Sequence, residues 1–88
     1  MTSVDVIIRG RVQGVGFRWS TRFNAERLGV AGWVRNLPDR SVQAHLEGPD
    51  DQVTAMVDWL RTGPVGATVE GVEVAAAVAT GAAGFEIR

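Results

Sequence analysis

Eighty-eight residues suffice for one domain, spanning 1–88, with a single two-layer core, and they exclude a second. Nine arginines against ten carboxylates leave a formal charge of −1, so no whole-protein field draws the chain to nucleic acid or membrane. The lack of cysteine excludes disulfides, thiolate metal sites and a thiol nucleophile, and it fits a reducing compartment.

Met1-Thr2-Ser3-Val4-Asp5 carries no basic region followed by an apolar block, and no apolar run approaches membrane-spanning length. The expectation is a cytoplasmic protein with no membrane partner. Val4, Val6 and Ile8 then alternate with Asp5, Ile7 and Arg9, a period-2 pattern of β-branched residues that predicts a first strand. Arg9-Gly10-Arg11-Val12-Gln13-Gly14-Val15-Gly16-Phe17-Arg18 follows. Its glycines release the backbone from negative φ and let several N–H groups converge on one point, a concave donor set that suits an anion. Arg18, directly after the loop, adds a planar fork able to grip two phosphoryl oxygens at once.

Two other glycine loops are excluded. Gly14-Val15-Gly16-Phe17-Arg18-Trp19 lacks the last glycine of the dinucleotide fingerprint, and a nucleotide P-loop ends in Gly-Lys-Ser/Thr, whereas this chain has no lysine. Carboxylates near the loop are scattered singly, so magnesium has no evident holder and a metal-free phosphate site without a cofactor remains.

From about Phe17 the spacing turns helical. Phe17, Thr21, Ala25 and Leu28 share one face and Gly29 is placed to end the helix. Trp19 and Phe23 lie on another face; the expectation is partial packing against a neighbouring loop, with an apolar lip beside the phosphate loop as the alternative. Ala31 to Asn36 and Ser41 to Glu47 read as a hairpin turning through Leu37-Pro38-Asp39-Arg40. Val42, Ala44 and Leu46 are assigned to the core, and Gln43, His45 and Glu47 to water. Gly48-Pro49-Asp50-Asp51 opens a second helix whose Val53, Met56, Val57 and Leu60 keep the i, i+3, i+4, i+7 rule, and Gly63-Pro64 stops it. A fourth strand contains Val72 and Val74; Val69 is out of phase with them, which a bulge near Glu70-Gly71 reconciles. Ala75 to Gly84 is too poor in large side chains to form much core and reads as a connection to a short last strand, Phe85 to Arg88. The order predicts an α+β, ferredoxin-like split βαβ sandwich: β-α-β-β-α-β plus a short C-terminal strand, two helices on one face of a mainly antiparallel sheet.

That fold hosts many activities, so function must come from the site. Ser20 and Thr21 stand near the loop without a histidine or lysine to activate them, which disfavours a covalent nucleophile. Direct attack by water needs a polar side chain to hold it in line, and Asn36, at a strand end, can both donate and accept. With no evident general acid the leaving group must already be a good one, such as a carboxylate of pKa about 4. That chemistry describes an acyl phosphate.

Gly10-Arg11-Val12-Gln13-Gly14-Val15-Gly16-Phe17-Arg18, followed by Leu28-Gly29-Val30-Ala31-Gly32-Trp33-Val34-Arg35-Asn36, closely resembles the acylphosphatases. The resemblance runs through Glu47-Gly48-Pro49 to Phe85-Glu86-Ile87-Arg88. It implies metal-independent hydrolysis of acyl phosphates to carboxylate and inorganic phosphate, with Arg18 and the amides of Gln13, Gly14, Val15, Gly16 and Phe17 on the phosphoryl group and Asn36 on the water. Asp39-Arg40-Ser41 replaces a more usual Asp-Gly turn, and the alanine-rich tail carries less charge than is common. A monomer is expected. A non-catalytic phosphate or acyl-phosphate sensor remains open at this point. An RNA binder is disfavoured, because Val4 to Arg9 and Ser41 to Glu47 lack the paired aromatics that stack bases.

Overall fold

Val6 and Ile8 are buried while Ile7 between them is only half-buried and Arg9 beyond them stays in water, so the first strand presents one apolar face to whatever packs on it. In the computed structural model, which describes residues 1–88, that face carries both helices. The elements run β1 (Thr2–Arg11), α1 (Phe17–Leu28), β2 (Ala31–Asn36), β3 (Val42–Gly48), α2 (Asp50–Thr62), β4 (Thr68–Ala76) and β5 (Phe85–Ile87). The sheet order is β4-β1-β3-β2-β5, antiparallel throughout except for the parallel pair β2 and β5. This is the expected split βαβ arrangement.

Both helices follow their sequence signals. Phe17, Thr21 and Ala25 are the buried face of α1, and Gly29 closes it in the left-handed region at φ 71°. Val53, Met56 and Leu60 bury α2 against Ala44, Leu46 and Ile8 in one 14-residue core; Val57 packs at its margin. The expected bulge is present. Arg9 pairs with Gly71 but Gly10 with Val69, leaving Glu70 as the extra residue.

The hairpin between β2 and β3 closes by a bond from the Arg40 N–H to the Leu37 carbonyl at 3.1 Å and another from the Leu37 N–H to the Ser41 carbonyl at 2.9 Å. Arg40 takes φ 74°, the left-handed conformation usual after a type I turn in a three-residue hairpin loop. For a residue with a Cβ this conformation costs about 1 kcal/mol or more. Arg40→Gly relieves it, less glycine's extra freedom in the unfolded chain. The expected gain is about 0.5–1 kcal/mol, seen as a rise in Tm of roughly 3–6 °C in a thermal melt; a fall in Tm would refute the strain.

The sheet's second face corrects the sequence reading. His45 and Glu47 do alternate away from the helices, but both are buried, at 3 % and 6 % exposure, and neither faces water. Residues 77–84 cover them by crossing from one sheet edge to the other. The Ala77 N–H donates to the Ser3 carbonyl, Thr80 donates through its N–H and hydroxyl to Glu47 Oε2, Gly81 N–H donates to Oε1, and the Gly32 N–H reaches the Gly84 carbonyl. Small side chains let this strap lie close on the sheet. Beneath it His45 bridges Asp5 at 2.7 Å and Glu47.

These contacts make stability pH-dependent. Hydrogen bonds from Thr80 and His45 hold the Glu47 carboxyl at about 2, below its ordinary 4.5. Burial opposes charge on His45, but its bonds to Glu47 and Asp5 outweigh that and raise its pKa above 6.5. Glu47's contribution is therefore complete above pH 4.5 and lost as pH falls toward 2; His45's is complete below pH 6.5 and lost as pH climbs through the raised value. Urea unfolding across pH should show maximal stability in this window. Glu47→Gln should flatten the acid limb, and an unchanged acid limb would refute the assignment.

Candidate active site

The chain between β1 and α1 is too short to do anything but turn, and it turns on glycines. Gly14 and Gly16 adopt φ 77° and 73°, flanking Val15, and a Cβ at either would meet nothing within 4 Å. The requirement for glycine there is conformational, since the left-handed region is open to it without penalty. None of the N–H groups of Gly14, Val15, Gly16, Phe17 and Arg18 donates to a protein acceptor. The loop and the helix start thus hold a row of free donors.

The two helix N-termini differ in charge. Asp50 and Asp51 occupy the first turn of α2, whereas α1 has no acidic residue there, so the positive end of its dipole is left uncompensated. Phe17 sets the loop's end by burying its ring to 2 % exposure, 6.0 Å from the Trp59 ring. Val15 also turns toward the core. Gln13 is tied elsewhere: its Nε2 donates to the Leu37 and Ser41 carbonyls, both at 2.9 Å, fastening the loop to the hairpin beside Asn36.

Arg18 is the second residue of α1 and half-buried, with no carboxylate partner. Asn36 ends β2. Period-2 alternation puts its side chain on the same face as buried Val34, the face α1 packs on, and its carboxamide makes no hydrogen bond within the protein. The two side chains line one cavity of about 370 Å³ together with Gln13, Gly14, Gly16 and Phe17. Val15 does not line it. Neither does any carboxylate or imidazole.

Three further residues line the same cavity: Val12, Trp19 and Ile87. Ile87 had no local signal, because its place beside Val34 depends on the parallel pairing of β5 with β2. Trp19 and Phe23 are a correction. They do not pack against a loop; they stand 69 % and 56 % exposed and stack on each other at 6.4 Å between centroids. The side chains near them on the helix are the polar Arg22 and Glu26, ion-paired at 3.5 Å, so nothing apolar is available to cover the rings.

Residues 4–87 match the family model described as Acylphosphatase. Acylphosphatases of Rubrobacter xylanophilus and Pseudomonas paraeruginosa are 58 % and 57 % identical, over 97 % and 92 % of this chain and 78 % and 89 % of theirs. The crystal structure of acylphosphatase from Bacillus subtilis superposes with a TM-score of 0.96 at 32 % identity, covering 100 % of this chain and 99 % of that one. The Coxiella burnetii acylphosphatase structure gives 0.95 at 37 % identity over 99 % and 92 %. With its glycine loop, free arginine and asparagine gathered at one cavity of this fold, the chain belongs to the acylphosphatase family of hydrolases.

Proposed function

We propose that the protein hydrolyses acyl phosphates to a carboxylate and inorganic phosphate, with no metal, by direct attack of water on phosphorus. The observation that carries this reading is one cavity lined by an uncompensated Arg18, an unpaired Asn36 and the residues Gly14, Gly16 and Phe17, whose N–H groups have no acceptor within the protein.

Each part answers a demand of the reaction. The phosphoryl group carries charge on its equatorial oxygens, and amides left without a protein acceptor on a turn fixed by Gly14 and Gly16 can stabilise it with little reorganisation. Arg18 offers two parallel N–H donors to two of those oxygens, and no internal ion pair has to break first. Asn36 accepts a hydrogen bond from the attacking water through its carbonyl oxygen or donates to it through its amide, holding it in line with the bond that breaks. Water's oxygen bonds to phosphorus, the P–O bond to the acyl oxygen breaks, the carboxylate departs with the electron pair, and both of the water's protons stay with the inorganic phosphate that forms. No acid need protonate a leaving group whose conjugate acid has a pKa of about 4.

A divalent cation would find no carboxylate in this cavity. The same reading keeps the expectation of a monomer of residues 1–88 working in the cytoplasm with no cofactor. Phosphate release from benzoyl phosphate in the presence of excess EDTA tests the proposal. Turnover should persist undiminished; its abolition by chelator, or phosphate binding without turnover, would overturn it.

A further inference from the structure

The cavity that holds Arg18 and Asn36 is divided by chemistry. Its polar lining is Gln13, Gly14, Arg18 and Asn36, and its apolar lining includes Trp19 and Ile87. An acyl phosphate is divided in the same way, with a dianionic phosphoryl end and an acyl end that the phosphate chemistry leaves unrecognised. Trp19 follows Arg18 directly in α1, so the guanidinium and the indole leave the helix at adjoining positions beside one opening.

Trp19 is not only a wall of this cavity. It also borders two shallow depressions that continue along α1, one with Arg22, Phe23 and Glu26 and the other with Ser20, Phe23 and Asn24. Phe23 lies one turn further and stacks on Trp19 with 16° between the ring planes. The two rings thus form an apolar shelf that is continuous with the proposed phosphoryl site. Two large aromatics this exposed, with no segment of the chain over them, mark a surface that takes a ligand.

We infer that Trp19, extended by Phe23, is the specificity shelf for the acyl group, and that it selects acyl phosphates whose acyl part is aromatic or a sizeable apolar chain over those with a short one. The inference rests on the acyl phosphate reading above and adds the substrate class. Trp19 acts by positioning. It has no proton to move in the reaction, and its ring contributes contact with the part of the substrate that departs as carboxylate. Because the shelf touches only the acyl end, its removal changes discrimination between substrates, whereas loss of Arg18 or Asn36 lowers turnover of all of them.

The test compares kcat/KM for benzoyl phosphate and acetyl phosphate in the parent and in Trp19→Ala, with Phe23→Ala alongside. In Trp19→Ala the benzoyl-to-acetyl ratio should fall about tenfold, the size of effect an apolar pocket exerts on a substrate's apolar group, and in Phe23→Ala by a smaller factor. A ratio within twofold of the parent's would overturn the shelf. Calorimetric titration with phenylphosphonate and with inorganic phosphate supplies a readout that needs no turnover. The phenylphosphonate-to-phosphate affinity ratio should also fall about tenfold in Trp19→Ala. If the parent hydrolysed neither substrate, the hydrolysis reading would fail and this binding ratio alone would decide the shelf. Sedimentation over a range of concentrations closes the remaining route: a parent dimer abolished by Trp19→Ala, with both ratios intact, would assign the rings to a self-interface and overturn the inference.

Discussion

Arg18→Ala should abolish phosphate binding and turnover together, lowering kcat/KM on benzoyl phosphate by about 10³ or more, which is about 4 kcal/mol of transition-state stabilisation. The size follows from what stands at the site. Arg18 is the one arginine lining the cavity, and no carboxylate neutralises it. Backbone amides supply the rest of the field, and they are partial charges. With the guanidinium gone, the dianion loses its only full positive partner both at rest and in the transition state, so affinity and rate fall in step. The fold should not follow. The Arg18 side chain makes no internal hydrogen bond or ion pair, and Tm should stay within about 4 °C, the ordinary scatter of surface changes in a chain of this size. Arg18→Lys separates charge from shape: it keeps the charge and forfeits the fork, so activity should lie between the parent and the alanine variant. Inhibition by inorganic phosphate, run beside the kinetics, checks the binding half. Parent-like phosphate inhibition in Arg18→Ala would remove the arginine from the proposal.

What was legible in the sequence was whatever is recorded locally. The stripe Val53, Met56 and Leu60 states which face of α2 is buried, and Val69 standing out of phase with Val72 was enough to locate the bulge at Glu70. Gly14 and Gly16 announced a turn that needs positive φ, and Arg18 and Asn36 stood out by residue type and setting; the fold brings them to one cavity although 18 positions separate them. Alternation in β3 also reported correctly that Ala44 and His45 face opposite ways.

It could not report what lies over the second face. The strap at 77–84 has no periodicity to read, and its grip on Glu47 is made by main-chain N–H groups and Thr80, which leave no pattern in the residue string. Burial of this face comes with a segment more than 30 residues further along the chain, so the alternation that assigns His45 to water carries no trace of it. The exposed Trp19 and Phe23 failed for the opposite reason. Large aromatics are usually covered, but these two stand exposed on a face of α1 and stack on each other.

Asn36→Ala should separate binding from chemistry. Phosphate affinity should stay within about threefold of the parent's while kcat falls by about 10²–10³, the range seen when a single preorganised hydrogen-bonding group is removed from a reacting centre. The distinction rests on where the carboxamide sits relative to Arg18. Asn36 reaches the cavity from the end of β2, and Arg18 and the loop amides reach it from the start of α1. In the proposed mechanism one element would therefore hold the phosphoryl group and the other would address what approaches it. Gln13 keeps those two elements in fixed relation through its paired bonds to the Leu37 and Ser41 carbonyls, which flank the turn that Asn36 leads into. Because the Asn36 amide has no internal partner to lose, truncation leaves no buried group unsatisfied, and Tm should move by less than about 2 °C. Asn36→Asp is the informative companion. It keeps the acceptor and adds a negative charge beside a dianion, so phosphate affinity should fall there although it holds in the alanine variant. Were Asn36→Ala to lose phosphate affinity in proportion to its rate, the carboxamide would be a phosphate ligand, and the attacking water would have to be held by another group.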